Sequence, residues 1–266
     1  RFTLSTLPAA EFPTVEAGDG EIDLDLARPL VRQMIDRTGF AMAQQDVRYY
    51  LNGMYLEIKE GRLRFVATDG HRLALCTAPG QVAADDKSVI VPRKGILELS
   101  RLLDGDGSVT LSVGSNHIRA ATDQFTFTSK LVDGKFPEYE RVLPRSPDKS
   151  VSGDRAELRQ AFTRTAILSN EKYRGVRLSL TPGSLEITAN NPEQEQAEES
   201  VPVDYAGDAL EVGFNVSYLL DVMGVLTGAT VRMSLSDSAS SALIEEGEAG
   251  GDTDAEALYV VMPMRL

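Results

Sequence analysis

The sequence has one cysteine, two histidines and no tryptophan among its 266 residues. The single cysteine, Cys76, cannot form a disulfide within the chain, which fits a reducing compartment. No apolar run approaches the roughly 20 residues that cross a bilayer. Residues 1–10 lack the long apolar stretch behind a basic start that marks a signal peptide. We therefore expect a cytoplasmic protein with no membrane partner.

Side chains suited to catalysis are scarce. Asp69 and His71 form the clearest candidate pair, as a general base or as metal ligands, but no second group of His, Asp or Glu has recognisable ligand spacing. Gly70 between them is typical of a tight turn after a strand, and Cys76 lies in an apolar run that favours a packed residue over a nucleophile. The glycine-rich loops that bind nucleotides are missing. We expect no catalysis, metal or cofactor, with a hydrolase built on Asp69 and His71 as an alternative.

Basic residues are outnumbered, with 27 lysines and arginines against 40 acidic residues and a net charge of −13. This total argues against a nucleic-acid partner, yet DNA responds to the local field, so the distribution matters. Acidic residues collect at 193–199 and 245–254, whereas basic residues recur on three predicted helices, on sides that we expect to face outward. These basic residues are Arg28, Arg32, Arg37, Arg93, Lys94, Arg101, Arg155, Arg159 and Arg164. They form either a basic surface or ordinary solvated helix faces, and without a base-reading motif any DNA contact would be with phosphates.

The chain repeats itself with a shift of 122 residues and, on this alignment, without a gap. The matched pairs are Phe40 with Phe162, Gly53 with Gly175, Leu56 with Leu178, Gly61 with Gly183, Leu63 with Leu185, Ala67 with Ala189, Val109 with Val231, Leu111 with Met233 and Val113 with Leu235. We therefore predict two copies of one domain, at 20–145 and 146–266. An apolar strand from Phe2 to Leu7 before Phe12-Pro13 echoes Phe125 to Leu131 before Phe136-Pro137, so residues 1–19 are predicted to be the tail and linker of an earlier copy.

Hydrophobic periodicity predicts the elements of each copy. Residues 20–26 alternate as a half-buried strand, and a helix follows with Pro29 in its first turn and Val31, Met34 and Ile35 on its inner face. Further strands are predicted at 54–58, 62–67, 108–113, 116–121 and 124–131, and further helices from Pro92, near 154–166 and near 215–227, the last capped by Asn215. The predicted fold class is α+β, with two helices per copy packed on antiparallel sheets.

Several segments resemble the bacterial DNA sliding clamp, the beta subunit of DNA polymerase III, and most of all its proteobacterial members. These segments are 66–74, 89–95, 136–144, 189–195, 213–218 and 259–266, and the similarity spans essentially the whole chain. The resemblance implies the second and third domains of a subunit with three clamp domains, of the processivity fold. Two such subunits would join head to tail as a homodimeric ring around duplex DNA, and the ring would tether the replicative polymerase without any catalysis of its own.

The resemblance also implies sites and partners. The peptide-binding positions are Leu51, Thr68, Gly70, His71, Arg72, Leu73, Pro137, Arg141, Val142, Tyr173, Asn215, Tyr218, Ser241, Val260, Met262, Pro263, Met264 and Arg265. The DNA-proximal positions are Arg28, Arg32, Gln45, Arg48, Tyr49, Tyr50, Lys94 and Arg159. The subunit contacts are Phe2, Leu4, Ile167, Leu168, Glu193, Glu195 and Glu198. The expected partners are the alpha subunit of DNA polymerase III, the clamp loader delta subunit, and other polymerases and repair proteins that carry clamp-binding peptides. A peptide-binding adaptor that does not encircle DNA is the remaining alternative.

Overall fold

The structure, a computed structural model, describes residues 1–12, 22–247 and 255–265. The first copy contains β1 (Ile22–Ala27), α1 (Arg28–Thr38), β2 (Gly53–Lys59), β3 (Arg62–Thr68), β4 (Arg72–Thr77), β5 (Lys87–Pro92), α2 (Arg93–Leu102), β6 (Ser108–Val113), β7 (His117–Ala121) and β8 (Thr126–Lys130). The second contains β9 (Lys149–Asp154), α3 (Arg155–Thr165), β10 (Gly175–Thr181), β11 (Ser184–Asn190), β12 (Gln196–Pro202), β13 (Leu210–Asn215), α4 (Val216–Val225), β14 (Thr230–Leu235), β15 (Ala242–Glu246) and β16 (Glu256–Val261). The element order is the same in both copies, which confirms the α+β prediction.

Three antiparallel sheets contain these strands. Two of them have four strands, in the orders β1-β6-β7-β8 and β12-β11-β10-β13. The third has eight strands, in the order β5-β2-β3-β4-β16-β15-β14-β9, and it runs through both copies. The copies meet where β4 pairs with β16, with Ala74 opposite Tyr259 and Leu75 opposite Leu258. We call this pairing the seam.

Local sequence explains why these elements form. The helices bury the predicted faces, with Val31 and Met34 of α1 and Ile96 of α2 almost fully buried. Asn215 caps α4 by accepting a hydrogen bond from the backbone N–H of Ser217 at 2.9 Å. Glu60 and Gly61 have φ values of 52° and 71°, as a tight hairpin between β2 and β3 requires. No helix of the described residues is long and apolar enough to cross a membrane.

The repeat is present, but the ungapped alignment is wrong in several places, most of all before β2. Strands β2 and β10 start at Gly53 and Gly175, as the shift predicts, whereas α1 and α3 start at Arg28 and Arg155, a shift of 127 residues. The loop 42–52 of the first copy is five residues longer than its counterpart 169–174. The single 3-10 turns Gly39–Ala41 and Ala166–Leu168 therefore correspond, and Phe40 is equivalent to Ile167, not to Phe162.

The predicted strand from Phe2 to Leu7 does not form. Residues 1–8 have no regular structure, and Phe2, Leu4 and Leu7 are at least 82% exposed. A strand needs a neighbour for its backbone hydrogen bonds, and no described strand lies beside this segment. The predicted linker residues 13–19, the start of the predicted strand at 20 and 21, most of the acidic stretch 245–254 and the last residue of the clamp-like segment 259–266 lie outside the described residues.

Candidate peptide-binding site

The segment 132–145, which we call the connector, packs on the outer face of the first copy's sheet. Phe136 stacks on Tyr55, with ring centroids 4.6 Å apart and planes at 7°. The side chains of Tyr139 and Phe136 are buried against outward-facing apolar residues of the sheet, which form a second, smaller core. That core also contains Ala43, Leu51, Val66, Leu73, Leu75, Ile90 and Val260. The outer face of β3 and β4 is therefore apolar because the connector covers it.

A cavity of about 200 Å³ opens at the end of this second core. It lies between the connector, β4, the long loop 42–52 and the chain that follows β16. The predicted peptide-binding residues in its lining are Leu51, Thr68, Gly70, Arg72, Leu73, Pro137, Val142, Val260 and Met262. Arg48, Tyr50 and Tyr139 line it as well. A mostly apolar cavity with a few polar groups at its edge suits the burial of one or two side chains of an extended peptide.

The turn between β3 and β4 shapes one edge of the cavity. One carboxylate oxygen of Asp69 accepts the backbone N–H groups of His71 and Arg72, at 2.9 and 3.0 Å. Thr68 donates its hydroxyl to the carbonyl of Arg72 at 2.6 Å, and Gly70 has a φ of 89° that favours glycine. Asp69 is thus a turn-forming carboxylate, which accepts hydrogen bonds from backbone amides and from the guanidinium of Arg72.

Arg72 joins the two copies beside the cavity. Its guanidinium donates to Asp69 at 3.1 Å and to the carbonyl of Phe40 at 2.8 Å, and it forms an ion pair with Asp221 of α4. The same group lies 4.6 Å from the ring centroid of Tyr218. The side chain of Arg72 is only 12% exposed. Its main role is therefore to connect the two copies across the seam, and it also borders the cavity.

Other predicted peptide-binding residues form a shelf next to the cavity. His71 stacks on Tyr218, with centroids 6.4 Å apart, and its carbonyl accepts the N–H of Met262 at 2.9 Å. The hydroxyl of Ser241 contacts the sulfur of Met262 at 3.5 Å. Asn215, at the start of α4, holds the helix end that carries Tyr218. This shelf gives a bound peptide a second surface beyond the cavity itself.

The remaining predicted residues do not converge on the cavity. Pro263, Met264 and Arg265 line a separate groove of about 620 Å³ together with Arg177 and Glu211. Arg141 is 76% exposed and pairs with Glu138. Tyr173 is 56% exposed, beneath the ammonium of Lys172. Neither Arg141 nor Tyr173 is part of the lining of the cavity.

Arg48 and Tyr50, which were predicted near DNA, line the cavity. Arg48 donates to the carboxylate of Asp46 at 2.8 Å and to the carbonyl of Asp69 at 3.1 Å. The hydrogen bonds that the guanidinium and the backbone N–H of Arg48 donate to Asp46 lower the pKa of this carboxyl to about 2. This placement was not predicted, because the ungapped alignment of the two copies did not show that loop 42–52 is five residues longer than its counterpart. The longer loop carries both residues to the seam.

Comparison with known proteins gives the family. A family model for the central domain of the DNA polymerase III beta subunit matches residues 25–138, and the model for its C-terminal domain matches residues 140–265. The chain belongs to the bacterial beta sliding clamp family. It is 65% identical over 268 residues to the "Beta sliding clamp" of Pseudomonas aeruginosa and 54% identical over 267 residues to that of Escherichia coli K12, and it covers 72% of each relative.

Solved structures agree with this assignment. A ligand-bound sliding clamp of Pseudomonas aeruginosa has a TM-score of 0.94 at 65% identity, and the match covers 100% of this chain and 72% of that one. A clamp of the same species bound to griselimycin has a TM-score of 0.92 and is covered to 71%. The clamp assignment makes this chain a non-catalytic processivity factor of DNA replication, so the hydrolase alternative is set aside.

Arg28, which was predicted on an outward helix face of the clamp, is buried, and its equivalent in the second copy is half-buried. Arg28 is 6% exposed, donates to the carbonyl of Ser108 at 3.1 Å and forms an ion pair with Asp123. Its equivalent in the second copy, Arg155, donates to the carbonyl of Gly228 at 2.7 Å. Each of these arginines holds the loop that follows the copy's other helix. The prediction that Arg28 faces outward is therefore wrong.

Arg37 is also buried, at 4% exposed, and reaches across the seam to the carbonyl of Ala255 at 2.8 Å. Several other helical cations pair with neighbouring carboxylates: Arg32 with Asp104, Arg101 with Glu98, and Arg164 with Glu199. Lys94 and Arg159 are exposed and form no ion pair with the described residues. Gln45 and Tyr49 are exposed on the long loop. The accessible positive surface of the clamp is thus smaller than the sequence indicates.

The predicted subunit contacts lie at open surfaces of the clamp. Ile167 is 75% exposed and Leu168 half-buried in the 3-10 turn beside β12. Glu195 and Glu193 precede β12 and Glu198 lies within it, all exposed, and β12 is at the edge of its sheet. Phe2 and Leu4 are almost fully exposed. These apolar and acidic groups remain candidates for an interface.

Proposed function

We propose that the cavity of this clamp binds short extended peptides of the Gln-x-x-Leu-Phe type and thereby tethers the partner protein to DNA. The observation that carries the proposal is the apolar cavity of about 200 Å³ at the seam, with Leu51, Leu73, Val260 and Met262 in its lining. The clamp of Pseudomonas aeruginosa bound to griselimycin supports a ligand-binding surface in this family. The proposed partners are the alpha subunit of DNA polymerase III, the clamp loader delta subunit, and other polymerases and repair proteins, all in the bacterial cytoplasm.

The chemistry of the cavity suits several partners with one kind of peptide. Burial of an aliphatic or aromatic peptide side chain contributes about 1.5–3 kcal/mol. Met262 can adapt its unbranched side chain to different occupants. The shelf formed by His71 and Tyr218 offers an aromatic surface for the flanking residues of the peptide. Affinity from so small a site is moderate, which allows partners to exchange.

Tethering by a ring needs no catalysis. A polymerase held by the peptide remains near the DNA, so each rebinding event is local and its effective concentration is high. We propose that contacts with the duplex are to phosphates, through the exposed Lys94 and Arg159, with Gln45 and Tyr49 of the long loop close to the DNA. Arg32 and the cavity residues Arg48 and Tyr50 are secondary candidates because they already have protein partners or neighbours.

The seam suggests how the ring closes. In it, β4 of the first copy pairs with β16, which is the counterpart of β8. Repetition of this pairing would join β12, the counterpart of β4, to a β8-type strand of the partner subunit. We propose this head-to-tail contact as the homodimer interface of the full-length clamp, with Ile167, Leu168 and the acidic residues at β12. We propose Phe2 and Leu4 as further subunit contacts. We also propose that residues 1–19 are the remnant and linker of a first clamp domain, ahead of the second domain at 20–145 and the third at 146–266.

The first test is titration of a fluorescent Gln-x-x-Leu-Phe peptide with the chain, the Met262→Ala variant and the control Leu97→Ala. Leu97 is 42% exposed on α2 and is not part of the lining of the cavity, so its truncation should leave the affinity unchanged. We expect saturable binding that Met262→Ala weakens by about tenfold, or about 1.4 kcal/mol. No binding to the folded chain would refute the proposed peptide site.

A second experiment separates the ring from a peptide-binding adaptor. The full-length subunit, with the preceding domain, is loaded on nicked circular DNA and isolated by gel filtration before and after linearisation. An encircling clamp remains with the circle and is lost from the free ends of the linear molecule. Equal retention on both forms, or none on either, would favour the adaptor.

A further inference from the structure

A buried polar cluster fastens the connector to the sheet. Glu57 lies on the outer face of β2 and is 9% exposed. Its carboxylate accepts the hydroxyl of Tyr139 at 2.5 Å and a guanidinium N–H of Arg64 at 3.2 Å. Arg64 also donates to the hydroxyl oxygen of Tyr139 at 3.3 Å. Burial, together with the hydrogen bond to Glu57, raises the pKa of Tyr139, so the hydroxyl stays protonated and donates at neutral pH.

The next connector residue is fastened to the same two strands. Glu140 forms ion pairs with Lys59 of β2 at 3.0 Å and with Arg64 of β3 at 3.6 Å. These outer pairs are substantially exposed, so they contribute little stability by themselves. The buried carboxylate of Glu57 is different, because a carboxylate out of water needs donors and Tyr139 and Arg64 are its donors. The 3-10 turn Tyr139–Arg141 is therefore held chiefly through Glu57.

The fastened turn is a wall of the peptide cavity. Pro137, Tyr139 and Val142 line the cavity, whereas Glu57 and Arg64 do not. Tyr139 is part of the cavity lining, and its hydroxyl donates to Glu57 of the sheet. The opposite wall contains Leu73 and Val260, which belong to the sheet. If the hydrogen bond from Tyr139 to Glu57 were weakened, the turn could move relative to that wall.

The second copy of the domain lacks this cluster. On the shift of 122 residues that relates β2 and β3 to β10 and β11, Ser179 takes the place of Glu57 and Glu186 takes the place of Arg64. Neither Ser179 nor Glu186 belongs to a buried cluster such as the one under the connector, and Glu186 is exposed. The domain fold therefore does not require the pair Glu57 and Arg64, which occurs only in the copy where a connector is held against the sheet.

We propose that Glu57 and Arg64 are positioning residues of the peptide site, which fix the turn Tyr139–Arg141 and so set the width of the cavity without touching the peptide. The inference rests on the proposed function. If the cavity wall is held in place before the peptide binds, less conformational entropy is lost on binding. Loss of the cluster should therefore weaken peptide binding.

The test compares peptide affinity in the chain with Glu57→Gln and Tyr139→Phe variants, at a temperature at which all are folded. Each variant is expected to bind the fluorescent Gln-x-x-Leu-Phe peptide roughly three- to tenfold more weakly. The double variant should bind the peptide no more weakly than the single variant with the lower affinity, since both changes act on the same hydrogen bond. Amide exchange at Arg141 and Val142, whose N–H groups close the turn at 3.1 and 3.0 Å, should become faster in both.

Tyr205→Phe is the matched control. Tyr205 is 5% exposed, against 4% for Tyr139, and it donates its hydroxyl to the carbonyl of Asp208 far along the second copy. Its loss should lower stability and leave peptide affinity unchanged. An affinity within twofold of wild type in both cluster variants, or an equal loss in Tyr205→Phe, would overturn the proposal. Should Glu57→Gln fail to fold, Tyr139→Phe decides alone. If the wild-type chain itself does not bind, the proposed function fails instead, and amide exchange still reports on the turn.

Discussion

The rings of Phe40 and Tyr259 meet across the seam, with centroids 5.8 Å apart and planes inclined at 38°. Phe40 belongs to the turn after α1 of the first copy and Tyr259 to β16 of the second. The residue equivalent to Phe40 in the second copy is Ile167, which is 75% exposed beside the edge strand β12. One position in the repeated domain is thus covered at the seam and open at the other end.

Phe40→Ala and Ile167→Ala form a matched pair for stability. Because Phe40 is half-buried against Tyr259 and Arg72, its truncation should lower the free energy of unfolding by about 2 kcal/mol. Ile167→Ala removes an exposed side chain and should change it by less than about 0.5 kcal/mol. Urea unfolding of both variants measures the difference. Equal losses of stability would contradict the contrast between the covered side chain of Phe40 and the open side chain of Ile167.

Ile167→Ala combined with Leu168→Ala should prevent dimer formation in the full-length subunit. Both side chains lie beside the open edge of β12, where the partner would pack, so their loss removes apolar area from the interface. Multi-angle light scattering at several concentrations should show a shift from dimer to monomer. Val47→Ala, which truncates an apolar side chain that is 95% exposed elsewhere, should remain dimeric. A dimer that survives the double substitution would place the interface elsewhere.

Lys94→Ala combined with Arg159→Ala should weaken association with duplex DNA and reduce its salt dependence. Removal of one cation–phosphate interaction lowers the slope of log K against log salt by about 0.9, so the slope should fall by up to about 2. Anisotropy of a labelled duplex, measured from low salt upward, gives the slope. Arg155→Met should leave the slope unchanged and lower stability by about 1–3 kcal/mol, because Arg155 holds the loop at Gly228. An unaltered slope in the double variant would exclude both residues from DNA contact.

Stability should fall as the pH rises from about 9 to about 11 through Cys76. Burial raises the pKa of this thiol to about 11 from its ordinary value of 9.0, and Arg37 opposes the shift. In that interval the unfolded thiol has lost its proton while the folded thiol keeps it, so the unfolded state binds fewer protons and unfolding becomes easier. The contribution is present in full below pH 9. The raised pKa of the thiol contributes about 2.7 kcal/mol at most. Burial also raises the pKa of Tyr139 and Tyr259, and comparison with Cys76→Ala separates the thiol from these tyrosines. An identical pH dependence in the variant would show that the thiol does not contribute.

Local periodicity was sufficient for most elements of this chain. The strands β2 and β3 and the helices were predicted within a few residues, because each has one face toward the core and one toward water. Strand β4 is indicated only by an apolar run, and β5 was not predicted at all. The residues of β4 show no alternation, since helices cover one face and the connector covers the other. Burial on both sides erases the signal on which period-based prediction depends.

In the site too, the residues that could be predicted are those whose partners lie close to them in the sequence. Turn residues such as Asp69 and Gly70 act within a few positions of their own place in the sequence, so a turn was predictable there. Arg28 and Arg37 looked like surface cations, yet their partners Asp123 and Ala255 are 95 and 218 residues away. Only the three-dimensional arrangement of the two copies shows that both guanidinium groups are buried and hydrogen-bonded inside the protein. The position of Arg48 and Tyr50 at the cavity could not be predicted either, because it depends on the length of loop 42–52.

The eight-stranded sheet has a mechanical consequence. Because β4 and β16 are joined by the same backbone hydrogen bonds that join strands within each copy, we expect the two copies to move as one body rather than as two bodies on a hinge. Tension along the circumference would load the whole row of seam bonds together, from Thr77 opposite Glu256 to Arg72 opposite Val261. We expect little bending at the seam, so strain imposed on a ring assembled as proposed would concentrate at the joints between subunits, and these joints would yield first.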